Sequence, residues 1–82
     1  MFLDVIKTIL AEEFFVEEDL VTEDSKLKDD LGIDSLAAMQ LVLLLEEKYK
    51  VHVKDEEVMG IETVADVIAL MEKKTKEESQ NV

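Results

Sequence analysis

The chain has 82 residues, no cysteine and a single histidine, His52, and its 21 acidic against 9 basic residues give a net charge of −12. That length allows one domain with a modest core and a thin stability margin. The composition excludes a disulfide framework, a thiolate metal site and a multi-histidine centre; the acidity repels nucleic-acid phosphates and anionic membranes and attracts basic patches on other proteins.

With no proline, two glycines (Gly32 and Gly60) and many Leu, Ala, Glu, Lys and Met, the sequence favours helices over strands. The expected fold is all-α: a small bundle of three main helices plus one short helix, with a long loop between helices one and two. The first helix is expected over residues 2–15, where Phe2, Val5, Ile6, Ile9, Leu10 and Phe14 recur on one face. Residues 16–34 are mostly acidic and read as a long loop, pinned by Leu20, Val21, Leu27, Leu31 and Ile33; a loop of that length in a compact domain is often functional.

The second helix is expected over residues 35–49. Leu36, Met39, Val42 and Leu43 mark one stripe, and Leu41, Leu44 and Leu45 widen it, as suits a central helix contacted on several sides. Asp55 is placed to cap a short turn over residues 56–59 that Gly60 closes. Thr63 is placed to cap the last helix with Asp66 three residues on, and Val64, Val67, Ile68 and Met71 form its buried stripe. Lys73, Lys74 and Lys76 fall where the helix dipole favours cations. Residues 77–82 lack an apolar period and read as a flexible tail behind a domain of residues 1–76. The longest apolar run, residues 41–45, is far too short to span a membrane. The N-terminus lacks a basic leader, so a cytoplasmic protein is expected.

Several chemistries fail on spacing. With Gly32 sixth in a calcium loop, Leu27, Asp29, Leu31 and Ala38 fall at the first, third, fifth and twelfth positions, and only Asp29 fits. No metal site is expected. A hydrolytic serine would need His52 as its base, and a small bundle offers no evident oxyanion hole, so no catalytic residue is expected. Two distant glycines make no phosphate-binding or dinucleotide loop.

The run Asp30-Leu31-Gly32-Ile33-Asp34-Ser35-Leu36 remains. It puts Ser35 at the expected start of a helix after a glycine turn, where unpaired N–H groups and the helix dipole favour an attached anion. Asp34 could position a metal ion or accept a proton for an enzyme that attaches a phosphate there. Equally, Asp34 or Ser35 could simply cap the helix.

These residues resemble the phosphopantetheine attachment motif of acyl carrier proteins. Leu41-Val42, Leu45-Glu46-Glu47, Tyr49, Val53, Asp55-Glu56-Glu57 and Ile61-Glu62-Thr63-Val64 fall at matching intervals, so the resemblance spans roughly residues 5–74. It implies a 4'-phosphopantetheine arm from coenzyme A, attached covalently to Ser35 between Asp34 and Leu36, whose thiol carries acyl intermediates as thioesters in fatty-acid or related lipid biosynthesis. It implies an acyl pocket, for which Met39, Val42, Leu43, Leu45, Ile61, Val67 and Ile68 are the candidates. The implied partners are a phosphopantetheinyl transferase and acyl-transferring or condensing enzymes, whose basic patches would meet Asp34, Glu46, Glu47, Asp55, Glu56 and Glu57. The family expectation is a monomeric carrier, not an enzyme.

Two departures stand out. Ala37 and Gln40 occupy positions where fatty-acid carriers usually have acids, and Lys54 replaces a customary proline. They point to a carrier for one specialised polyketide or aminoacyl pathway as readily as to a housekeeping one, although the acidity favours fatty-acid cargo over aminoacyl cargo. The alternative from another class is an unmodified acidic helical adaptor with Ser35 as a cap only.

Overall fold

The computed structural model describes residues 2–80. Helix α1 spans Phe2–Phe14 and buries Phe2, Ile6 and Leu10, with Val5, Ile9 and Phe14 half-buried beside them. It stops one residue short of the expected end because Phe15 turns left-handed (φ 60°), and the Val16 N–H donates back to Leu10 O at 3.0 Å.

The connection is more ordered than the expected loop. It holds a 3₁₀ turn, Glu18–Leu20, and a short helix α2, Leu27–Leu31. Both were invisible to periodicity because each is too short to show one. Val21, Leu27 and Ile33 pin it to the core as expected, but Leu20 faces solvent at 57 % exposure. Leu20 ends the 3₁₀ turn and serves through its carbonyl, which accepts from the buried Ser25 hydroxyl at 3.0 Å.

Helix α3, Ser35–Tyr49, has the expected bounds and runs through the centre, burying Leu41, Val42 and Leu45. The stripe expected at Leu36, Met39, Val42 and Leu43 is not one face. Only Val42 is buried, whereas Leu36, Met39 and Leu43 are exposed. At about 100° per residue, Leu36 and Leu43 lie roughly opposite Leu41 and Leu45, so α3 is apolar on both sides and packed on one. It ends at Lys50 in the left-handed region (φ 57°), where the Lys50 and Val51 N–H groups both return to Glu46 O.

Helix α4, Asp55–Met59, starts one residue earlier than expected, and Asp55 is its first residue, not its cap. The capping falls to Glu57, whose Oε1 accepts the Lys54 N–H at 3.0 Å. Helix α5, Val64–Gln80, buries Val64, Val67 and Met71, with Ile68 half-buried. Its start matches expectation: the Asp66 N–H donates to Thr63 Oγ1 at 3.2 Å and Asp66 Oδ2 accepts the Thr63 N–H at 3.0 Å.

The helix continues past the boundary expected at residue 76. Residues 77–80 are helical, carried by good helix formers and a Lys73–Glu77 pair at 4.0 Å; residues 81 and 82 of the expected tail lie outside the described residues. Lys73, Lys74 and Lys76 therefore sit before the last turn, and Lys74 is buried against Glu57, with Nζ to Oε1 at 2.9 Å.

Two clusters make the core. The larger joins Ile6 and Leu10 of α1, Leu41 and Leu45 of α3, and Val64, Val67 and Met71 of α5, with Val21, Leu27 and Ile33 from the connection. The smaller joins Val42, Val53 and Val58 beneath α4. The connection is stitched to the start of α5. Leu27 N–H donates to Glu62 O, and Ser25 and Glu23 carbonyls accept the Val64 and Ala65 N–H groups, at 2.8–3.0 Å. One antiparallel bridge, Lys26 with Thr63, marks this seam; no strand forms among the described residues.

Candidate functional site

Three local devices place Ser35. Helix α2 is closed by Gly32 in the left-handed conformation (φ 70°), whose N–H donates to Leu27 O and Lys28 O. A Cβ at Gly32 would meet nothing within 4 Å, so backbone conformation, not space, calls for glycine here. Ile33 then turns into the core, 4 % exposed, and its N–H donates to Leu27 O at 2.7 Å. Asp34 follows in extended backbone as the N-cap of α3, its Oδ1 accepting the Ala37 N–H at 2.9 Å and its carbonyl accepting the Ala38 N–H at 2.8 Å.

Of the two residues able to cap α3, Asp34 does so. Ser35 is the first residue of the helix, exposed, and its hydroxyl takes part in no hydrogen bond among the described residues. A Ser35–His52 pair is absent: the imidazole Nδ1 of His52 lies instead 3.6 Å from Glu46 Oε2. No group of three His, Asp or Glu residues converges as a metal site among the described residues.

Beside Ser35 opens a groove of about 380 Å³, within the range of roughly 300–1,000 Å³ usual for small-molecule sites. Ile33, Ala38 and Met39 form one wall and Val58, Met59 and Ile61 the other, with Lys26, Lys28, Asp29 and Glu62 at the polar rim. Of the seven pocket candidates, the structure brings Met39 and Ile61 to this groove. Val42 packs behind it against Val58, Leu45 and Val67 lie fully buried in the main core, Ile68 lines a different hollow beside Phe2 and Leu3, and Leu43 is exposed on α3. Sequence reasoning missed Ile33, Ala38, Val58 and Met59. Ile33 and Ala38 could have been found from their places two before and three after Ser35; Val58 and Met59 reach the groove only through the packing of α4.

The six acids expected to meet partners divide into two kinds. Asp34, Glu47, Asp55 and Glu56 are exposed. Glu46 and Glu57 are engaged within the chain: Glu46 Oε2 accepts the Val53 N–H at 2.9 Å, and Glu57 binds Lys74 and the Lys54 N–H. The Lys74 ammonium, with help from the Lys54 N–H, holds the Glu57 carboxyl below its usual range. Asp66 is likewise held low, by the Glu62 and Thr63 N–H groups.

The chain matches the family model described as a phosphopantetheine attachment site over residues 4–71. It is 43 % identical to the acyl carrier protein of Akkermansia muciniphila over 68 residues, covering 83 % of this chain and 85 % of that one. It is 44 % identical to that of Thermotoga maritima over 69 residues, covering 84 % and 85 %. Among solved structures, a Thermotoga maritima acyl carrier protein superposes with a TM-score of 0.86 at 29 % identity, covering 93 % of this chain and 88 % of that one. One from Enterococcus faecalis gives 0.69 at 35 %, covering 84 % and 87 %. With the helical fold in common and the family model matched over residues 4–71, the chain belongs to the acyl carrier proteins, the family built around a phosphopantetheine attachment site.

Proposed function

We propose that Ser35 is the residue that receives the 4'-phosphopantetheine arm, and that this chain carries acyl groups for fatty-acid or related lipid biosynthesis. The observation that supports it is the division of labour at the start of α3: Asp34 caps the helix, and the Ser35 hydroxyl is left exposed and unbonded. A serine that capped its own helix would have to give up a hydrogen bond on modification; this one would not. The residues fit the group, since a phosphoester at Ser35 would stand at the N-terminal end of a 15-residue helix, where N–H groups and the dipole favour negative charge.

When attached, the arm supplies the thiol that a chain without cysteine lacks, and acyl groups ride on it as thioesters. The chain's own residues do the rest. Gly32 and Ile33 fix the approach to Ser35, Asp34 holds the helix start, and Ile33, Ala38, Met39, Val58, Met59 and Ile61 offer an apolar groove for a chain-like cargo. A phosphopantetheinyl transferase and acyl-transferring or condensing enzymes are the partners this reading requires, and a monomer in the cytoplasm is its setting. No described helix is long and apolar enough to cross a membrane. A dedicated pathway is favoured by one observation, the lack of any acid in the first turn of α3.

The test is the intact mass after incubation with coenzyme A and a broad-specificity phosphopantetheinyl transferase, with Ser35→Ala beside it. Gain of one arm by the parent chain only is the expected result. No gain by a folded parent, with a working positive control, refutes attachment by a general transferase.

A further inference from the structure

The chain has no cysteine and four methionines, so any sulfur chemistry of its own belongs to thioethers. Met1 lies outside the described residues, and the other three divide sharply. Met71 is fully buried in the main core. Met39 and Met59 both line the groove beside Ser35, one on its α3 wall and one on its α4 wall. Met39 is 40 % and Met59 85 % exposed. The side chains that share those walls, Ile33, Ala38, Val58 and Ile61, are hydrocarbon.

Exposure decides which thioethers an oxidant reaches. A hydroperoxide delivers one oxygen atom. The thioether sulfur attacks the outer oxygen, the O–O bond breaks, an S–O bond forms, and water or an alcohol leaves. The sulfur gives up two electrons and the peroxide takes them. The product, a sulfoxide, puts a strong hydrogen-bond acceptor where a polarizable apolar group stood. At Met39 and Met59 the empty groove loses little, because both side chains already meet water. The loss falls on the loaded chain. An apolar acyl group lying in the groove would strip water from the sulfoxide oxygens, and hydrocarbon offers no donor in return.

We propose that Met39 and Met59 form a reversible oxidation site, and that their sulfoxidation by a hydroperoxide closes the groove to apolar acyl chains and leaves the cargo in solvent. This rests on the carrier role proposed above, with the groove as the resting place of the cargo. While the arm is loaded its thiol is tied up as a thioester, so these two thioethers are the readily oxidised sulfurs within reach among the described residues. Reduction by two thiols returns each thioether, releasing water and forming a disulfide.

The test compares chains loaded with octanoyl or acetyl groups from the matching coenzyme A thioesters by a broad-specificity transferase. Both carry the same capped arm, so the difference in Tm reads the shelter that the groove gives the longer chain. Each is treated with hydrogen peroxide, and peptide mass mapping follows every methionine. Met39 and Met59 are expected to oxidise at least about fivefold faster than Met71. The octanoyl advantage in Tm is expected to fall by about half or more, while the Tm of the acetyl chain barely moves. The two methionine sulfoxide reductases, with thioredoxin as reductant, should restore the advantage. A double variant, Met39→Leu with Met59→Leu, should keep after peroxide whatever octanoyl advantage it shows before. The proposal is overturned by an undiminished octanoyl advantage in a chain sulfoxidised at both positions, by Met71 reacting as fast as Met39, or by an equal loss in the leucine double variant. A reduced parent with no octanoyl advantage removes the groove as the cargo site and the proposal with it; a parent that takes no arm removes the carrier reading itself.

Discussion

Substituting Asp34 by alanine separates capping from attachment. Asp34 contributes one acceptor to the Ala37 N–H and one negative charge at the α3 N-terminus. The lost cap costs about 1 kcal/mol and the lost charge–dipole interaction about 0.5 kcal/mol, so Asp34→Ala is expected to destabilise by roughly 1.5 kcal/mol. For a domain of this size that is a Tm lower by about 6–12 °C. Asp34→Asn keeps the acceptor and loses the charge, so it should cost only about 0.5 kcal/mol. Ser35→Ala, at the first helical position with an unbonded hydroxyl, should stay within about 0.5 kcal/mol of the parent. Urea and thermal unfolding followed by far-UV circular dichroism measure all three. If Ser35→Ala costs as much as Asp34→Ala, the serine hydroxyl shares in holding the helix and the reasoning that leaves it free for modification is refuted.

Three further outcomes are expected. Glu57 and Asp66 are held below their ordinary values of 4.5 and 3.8, so each lends stability that is present above those values and lost as pH falls through the lower folded ones; Asp66→Asn should flatten the acid side of a stability profile taken from about pH 5 to about pH 2, and an unchanged slope would count against the capping role. Gly32→Ala should cost about 1 kcal/mol through its positive φ alone, since the added methyl meets nothing; denaturant midpoints check it, and a stabilised variant would contradict the conformation. Leu45→Ala, at a fully buried position, should lose about 3 kcal/mol and lower Tm by more than about 10 °C; a loss under about 1 kcal/mol would mean that α3 is not packed as described.

The helices that bury a single stripe were legible in the sequence. Phe2, Ile6 and Leu10, and Val64, Val67 and Met71, repeat at helical spacing and lie in the core, and Thr63 with Asp66 signalled the last N-terminus to the residue. Helix α3 was legible in extent but not in orientation. With apolar residues on opposite sides, periodicity could not say whether Leu43 or Leu45 faced inward, and tertiary packing decided for Leu45. Ser35, the attachment residue proposed above, stood out through its glycine turn and the surrounding motif. The groove did not, because one wall is α4, whose placement depends on Glu57 reaching Lys74 and Val58 reaching Val42. The short elements between α1 and α3 went unseen because each is too short to show a period, and α2 is held in addition by the Leu27 N–H donating to Glu62 O, a partner far along the chain that no local window contains.

That seam has a consequence for when the protein becomes competent. The segment that leads into Ser35 is tied by Leu27 to Glu62, just before the last helix, and by Ser25 and Glu23 to that helix's first turn. A chain emerging from the ribosome exposes its serine long before it exposes Val64 and Ala65, and until they arrive the carbonyls and amides of the seam have only water as partner. Closing a link across so many residues is entropically slow compared with winding either helix alone. The serine is thus set in its finished frame only once α5 has been made, so on the proposed reading of Ser35 the site takes its final form late in synthesis.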